Sequence, residues 1–495
     1  MRRYLLQFAH EVHNSYWFVP AVMTAIAFAL GFLMPWFDNW IGDGWIESVP
    51  FLTSLNVDGA RAMLTTIAGS IIGVAGVTFS IAIAAVSFAS GNYGPRLIGN
   101  FMRDRGNQFT LGTFISAFVY CVVVLRAVHA DPNGDANEID AFVPQASIMV
   151  AMGLMLASIA VLIFFIHHVP ESINIMNIAA RIGYDLKDSV YQLLPDTKGD
   201  HAPVDPETER ARRGGREVDP AASPRQRGFK PENGFDVTTD SSGYLQQLDL
   251  PHLRKTAEER GLVVRVLLRP GSFVTVRDPV MRVWHEDGTG AGEDIDTVEL
   301  TEAMRSCFTI GSERTNFQDV LFLVDELIEI AARALSPGVN DPFTANTCFD
   351  WLRAGLIEFV RRAPAKTFED EFDATGAERV IVYPVSFPRL MGAVMDQSRQ
   401  YVAADRNACL HVLSTLAEVG RACEHVEHQE VVVAHCERLA KEARGALSDE
   451  GVEDVNERLS QALRRIRDRV EADALTAEPR PLEPMKSPSE QSVAA

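Results

Sequence analysis

A chain of 495 residues is long enough for about three domain-sized units of roughly 150 residues each, which excludes one compact domain. Its 46 Lys and Arg against 66 Asp and Glu give a formal net charge of -20, and no clustered basic block occurs, which excludes a nucleic-acid partner. The 6 cysteines, at 121, 307, 348, 409, 423 and 436, contain no Cys-x-x-Cys pair, so they read as reduced, buried thiols rather than a disulfide framework or zinc ribbon.

Four apolar runs, near 17–36, 63–89, 109–128 and 146–169, reach the roughly 20 residues that cross a bilayer core and predict four transmembrane helices. Arg2 and Arg3 precede the first run, which ends in Met34-Pro35-Trp36 without a small-residue cleavage site and so reads as a retained anchor. The segment after it holds Asp38, Asp43, Glu47 and Asp58 with no Lys or Arg before Arg61; the segment after the third run holds Asp131, Asp135, Glu138 and Asp140 with none. The second and third runs are instead joined through Arg96, Arg103 and Arg105. Under the positive-inside rule both termini are cytoplasmic, and the chain crosses its membrane four times. Trp17, Trp36, Trp40 and Trp45 fall near predicted interfaces, where an amphipathic ring anchors.

The first two runs have no ionisable residue at depth, which disfavours a proton relay or voltage sensor. Arg126, at the outer end of the third, is read as a snorkelling residue or as positive charge at an outer mouth that favours anions. His167 and His168, at the inner end of the fourth, are read as interfacial. On the second run Ala62, Thr66, Gly69, Gly73, Gly76, Ser80, Ala84, Ser87 and Gly91 fall within about 80° of one another at 100° per residue, a stripe without a bulky side chain. Close helix packing explains such spacing, and Gly69 with Gly73 makes a GxxxG step. A pore wall explains it too, with Thr66, Ser80 and Ser87 hydroxyls facing water in a ring of subunits.

Residues 77–126, VTFSIAIAAVSFASGNYGPRLIGNFMRDRGNQFTLGTFISAFVYCVVVLR, and the block GSERTNFQDVLFLVDELIEIAARALSPGVNDPFTAN from Gly311 to Asn346 resemble the bacterial predicted-membrane-protein family known as domain of unknown function 2254. SGYLQ at 242–246 and RPGSFV at 269–274 fit the same family, and the resemblance extends over residues 1 to about 470. It implies an inner-membrane protein with a large cytoplasmic region and brings no activity with it.

Beyond the membrane region, taken as 1–190, residues 191–235 are rich in Pro, Gly and charge and read as a flexible linker. Residues 236–297 predict a small β-rich domain, with strands in LVVRVLL, SFVTV and VMRVW and a short helix at 250–260 capped by Asp249. Residues 298–472 predict an α-helical domain. Between 315 and 335, Val320, Leu323, Val324, Leu327, Ile328 and Ala331 share one face, and Asp319, Glu326, Glu329 and Arg333 the other. ALSPGVNDPFTA then reads as a corner between helices, with Gly338 in the turn, Asp341 as N-cap and Pro342 at the first helical position. Arg314, Asn340, Asp341 and Thr344 are the candidate ligand residues of this corner. Residues 473–495 read as a disordered tail.

Cys423, His425, His428, His435 and Cys436 are metal-ligand types in no common zinc spacing, and no GxSxG, Walker or dinucleotide glycine motif occurs. No enzyme activity, metal or cofactor is therefore expected. The expected fold is an α-helical membrane protein of four transmembrane helices followed by a cytoplasmic small β-rich domain and an α-helical domain. Its expected partners are the lipid bilayer, further copies of itself and ions. Two functions fit: a homo-oligomeric channel, or a membrane-anchored sensor or scaffold that binds a ligand or protein partner. The topology is directly testable. A cysteine at Asn133 should react with an impermeant maleimide in intact cells and one at Gly199 should not; the reverse pattern refutes the assignment.

Overall fold

The computed structural model describes residues 17–41, 56–94, 104–129, 142–194, 233–285, 297–362, 379–382 and 385–475. The arginine pair at 2–3, Arg96, Arg103, Trp45, the acidic residues 43, 47, 131, 135, 138 and 140, position 133, most of the expected linker and the tail beyond 475 lie outside the described residues. The chain divides into two compact units, Met1–Arg181 and Ile182–Ala495.

In the first unit α1 (Phe18–Ile41), α2 (Val57–Tyr93), α3 (Arg105–Ala127) and α4 (Gln145–Ile173) are the four helices long and apolar enough to cross a membrane. The second and third are opened by side-chain caps. Asn56 Oδ1 accepts from Gly59 N at 2.8 Å to open α2, and Asp104 Oδ1 accepts from Asn107 N at 3.1 Å to open α3. At 37 residues α2 is about 55 Å long, well beyond a hydrocarbon core of about 30 Å. Half of the apolar stretch of α3 is buried, against 22% in each of the others, so α3 is the helix around which α1, α2 and α4 pack. Leu64, Ile67, Ile71, Phe114, Tyr120, Val124 and Ile148 fill the core. Gly112 allows the close approach of α1 and α3, since a Cβ there would lie 2.5 Å from Met23 Sδ.

Asp38, read from sequence as a loop acid, lies in the last turns of α1 and is 7% exposed. The first turn of α4 follows Pro144, which has no side chain to cap it, and Asp38 takes that role from another helix. Its Oδ1 accepts from Ala146 N at 2.8 Å, and its Oδ2 from Ser147 N at 2.9 Å and Ser147 Oγ at 2.6 Å. Tyr120 Oη donates to Ser147 O at 3.1 Å, so α1 and α3 both hold the start of α4. Arg61 of α2 donates through Nη2 to Val128 O at 3.1 Å, closing the C-terminus of α3.

Helix α5 (Ile175–Leu193) follows α4 after one residue, Asn174. Expected as part of the membrane region up to 190, it is amphipathic, and from Ile182 onward it belongs to the second unit. There it lies on α9 (Pro342–Arg362): Gly183 meets Trp351, Leu186 meets Gly355, and the Arg362 guanidinium sits 4.3 Å above the Tyr191 ring.

The second unit holds two sheets. β1 (Phe235–Thr238), β5 (Pro279–His285), β3 (Leu262–Val266) and β7 (Val380–Ile381) form one in that order; β5 is antiparallel to β1 and β3, and β7 is parallel to β3. β4 (Phe273–Val274), β2 (Gly243–Leu248) and β6 (Phe308–Gly311) form an antiparallel second. With α6 (Leu250–Glu259) and α7 (Thr297–Arg305) they enclose a core of Val237, Leu245, Leu253, Val264, Met281 and Met304. Asp249 caps α6 as expected, accepting from His252 N at 3.0 Å. β6 and β7 lie within the stretch expected to be wholly helical. Each is too short to show periodicity, and each is strand only because a sheet edge offers it partners.

The remaining helices are α8 (Val320–Ala334), α9, α10 (Phe387–Ala403), α11 (Arg406–Ala422), α12 (Val426–Ala446) and α13 (Asp449–Leu475). The expected apolar face of α8 is buried throughout, and Glu329 pairs with Arg333 at 3.3 Å.

Replacing Asp38 by Ala should strip the α4 cap and destabilise the bundle by about 1–2 kcal/mol. Thermal unfolding in detergent should show the lower midpoint, with Asp38→Asn, which keeps one acceptor, in between.

Candidate functional site

On α2 the buried positions are Ala60, Leu64, Ile67, Ala68, Ile71, Ala75, Ala82, Val86 and Ala89, a face set by their three- and four-residue spacing. Thr66, Gly69, Gly73, Gly76, Ser80, Ala84 and Ser87, with Ala62 and Gly91, lie roughly opposite, and all are exposed. A Cβ built on Gly69, Gly73, Gly76 or Gly91 meets nothing within 4 Å. Among the described residues nothing packs on these glycines, and the larger Ile72, Val77, Ile81, Ile83 and Phe88 that flank the stripe are exposed as well. Thr66 Oγ1 donates to Ala62 O and Ser80 Oγ to Gly76 O, both at 2.7 Å, so these hydroxyls are satisfied by their own helix.

Arg126 is exposed in the last turn of α3. His167 is exposed beside Glu171 at 3.4 Å, and His168 is half-buried. Its Nε2 donates to Asp104 Oδ1 at 2.8 Å, and its ring stacks on Phe164 with centroids 4.9 Å apart. The N-cap of α3 is thus tied to the end of α4.

The second candidate site is the loop from β6 into α8. Gln246 Nε2 donates to Glu313 O at 2.7 Å, while the Gln318 amide accepts from Leu248 N at 2.8 Å and donates to Leu248 O at 3.1 Å. These bonds fix the loop to β2 and aim Arg314 at two carboxylates. Arg314 Nε and Nη2 donate to Asp319 Oδ2 at 2.9 and 2.6 Å, and Nη1 donates to Asp325 Oδ2 at 2.7 Å. Gln397 of α10 donates to the other Asp325 oxygen at 2.9 Å, and the guanidinium lies 5.4 Å from the Phe322 ring centroid.

Asp319, expected on the polar face of α8, is instead its N-cap and only 4% exposed. Burial lifts its carboxyl above the usual range, and the Arg314 bonds pull the other way without overcoming this. Burial also works against the Arg314 charge, but the bonds to Asp319 and Asp325 prevail and raise its value. Gly271, in the RPGSFV stretch, is the other wall: its φ is 90°, and a Cβ there would fall inside the Asp319 carboxylate.

The corner after α8 forms as expected. Thr344 N donates to Asp341 Oδ1 at 3.1 Å and Thr344 Oγ1 to Asp341 Oδ2 at 2.6 Å, capping α9. Asn340 takes a left-handed φ of 50°, which asparagine tolerates, and the backbone N–H groups of Asn340 and Asp341 are bound by Ser336 O and Ala334 O. Arg314 is not brought to this corner. It binds the first two turns of α8, while Asn340, Asp341 and Thr344 follow the helix's other end, about 14 Å further along at 1.5 Å per residue from Asp325 to Ala334. Asp38, Asp104 and Asp325, which hold these sites together, were not singled out in the sequence as partners. Asp104 alone carried a local signal, an acid directly before a helix start.

The family described as Predicted membrane protein (DUF2254) matches residues 13–418. Uncharacterized proteins of Mycobacterium bovis and Mycobacterium tuberculosis are each 27% identical over 392 residues, covering 79% of this chain and 69% of theirs. No solved structure matches the chain.

Arg314→Met should leave the buried Asp319 carboxylate uncompensated and cost about 3 kcal/mol, read by thermal or denaturant unfolding of the full chain in detergent. A carboxyl whose folded value lies above its unfolded one disfavours folding increasingly as pH rises, so the defect should shrink between pH 7 and pH 5.

Proposed function

Because the chain belongs to the DUF2254 family of predicted membrane proteins, we propose that its four apolar helices are embedded in a bacterial inner membrane with both termini cytoplasmic, and that it assembles as a homo-oligomeric channel or channel-like pore. In this reading α2 stands at or near the axis, and the second unit forms a cytoplasmic vestibule or gate. One observation carries it: the small-residue face of α2 is turned away from the core of its own bundle and has no neighbour there. Small residues at four-residue spacing favour close backbone approach in lipid, and the face is free to meet a second copy or a column of water. The length of α2 supports the same reading, because about 55 Å of helix reaches past the hydrocarbon core and can line a mouth as well as a span. Arg126, exposed at the end of α3, would add positive charge at the outer mouth.

A second reading is favoured by the hydroxyls. Thr66 and Ser80 satisfy themselves on their own carbonyls and so need no water, which suits a dry helix contact in a membrane-anchored sensor or scaffold.

Assembly size and water access separate the two. Native mass spectrometry in detergent should give a ring of several subunits, and Ser80→Cys, which changes volume little, should be modified by a charged methanethiosulfonate with altered ion flux in liposomes. Gly73→Leu is the packing control and should impair assembly under either reading. A dimer with an unreactive thiol and no flux would remove the pore and leave the sensor.

A further inference from the structure

Helix α12 carries two histidines on one face over which the helical layer has closed. His428 and His435, seven residues and so about 10 Å apart along the axis, are 1% and 5% exposed. Buried polar side chains nearly always find hydrogen-bond partners, yet neither ring nitrogen of His428 has one, nor does Nδ1 of His435. His428 instead packs on Phe387 at the start of α10, with ring centroids 4.9 Å apart, and the His425 ring stands edge-on to it at 5.5 Å. His435 Nδ1 lies 4.0 Å from Asp396 Oδ1 of α10, beyond hydrogen-bond reach but near enough to answer a positive charge.

The charges bearing on His428 are His425 and Glu427 of its own helix; those bearing on His435 are Asp396 and Arg399 of α10 and Arg438 of α12. Helices α11 and α13 also pack on α12 and add no charge to either set. Burial holds both imidazoles below their ordinary value of 6.5; at His428 the neighbouring His425 reinforces this and Glu427 opposes it, and at His435 Asp396 opposes it while Arg438 and Arg399 reinforce it.

We propose that the contact between α10 and the first turns of α12 is an acid-sensitive latch, released when His428 takes up a proton, because no neighbouring group accepts a hydrogen bond from the charged ring. A charged His428 would be cut off from water with no acceptor for either ring N–H, whereas a charged His435 lies 4.0 Å from an Asp396 oxygen that it would share with Arg399, so His428 is the trigger and His435 the minor contributor. The sign follows from linkage. Below pH 6.5 the open form binds a proton that the closed form refuses, so opening gains up to about tenfold per pH unit per histidine as pH falls; above 6.5 the latch is closed. The inference does not depend on the pore reading.

Hydrogen exchange of the full chain in detergent tests it, measured at pH 7.5, 6.5 and 5.5 with rates corrected for intrinsic exchange chemistry. Amides in 426–436 should lose protection by about fivefold between pH 6.5 and pH 5.5, and by less than about twofold between pH 7.5 and pH 6.5. His428→Leu and His428→Asn should abolish that loss, and His435→Asn should reduce it only slightly. Wild-type protection that does not change with pH, or that is lost already above pH 6.5, overturns the proposal whatever the variants do. So does a loss that persists undiminished in both His428 variants.

Discussion

The first turn of every helix has backbone N–H groups without partners inside the helix, and α4 starts after a proline that cannot cap it. The Asp38 carboxylate answers that need from the last turns of α1, with both oxygens engaged and Tyr120 bonding to the same turn from α3. The other ends of the bundle follow the same rule. Arg61 closes α3 from α2, and His168 of α4 shares the Asp104 carboxylate that caps α3. These bonds and the tight approach at Gly112 hold each helix beside its neighbour in the bundle.

The second unit has a comparable centre in Arg314. One guanidinium reaches the cap of α8 and a carboxylate nearly two turns later, which is itself tied to α10, while the loop that carries it is bonded to β2. Sheet, loop and two helices therefore share one set of charges. A buried pair is weak evidence of net stability, because desolvation offsets much of its attraction. Its effect is on geometry: Asp319 must remain beside Arg314, and Gly271 must remain glycine to leave room for it.

With its donors directed at Asp319 and Asp325, Arg314 is committed to the fold, and the corner at Asn340 and Asp341 is occupied in capping α9. Among the described residues the small-residue face of α2 is exposed, while its opposite side is locked into the bundle. Function is more readily sought on a surface that folding does not consume, which is the physical basis for placing assembly there.

The sequence alone determined the four apolar helices, the α2 stripe, the Asp249 cap and the corner at Asp341, because each is a local pattern: a run, a period, or a cap and a proline in fixed order. The family was legible for the same reason, in two contiguous blocks. Only the tertiary structure decided which face of α2 is buried, since periodicity defines faces without saying what each meets. It alone turned Asp38 from a loop acid into the α4 cap and Asp319 from a surface charge into a buried one, because their partners lie on other elements or in a loop without period. It alone made strands of 308–311 and 380–381, and it separated Arg314 from the corner, because such short segments and distances are set by packing rather than by neighbours in the chain.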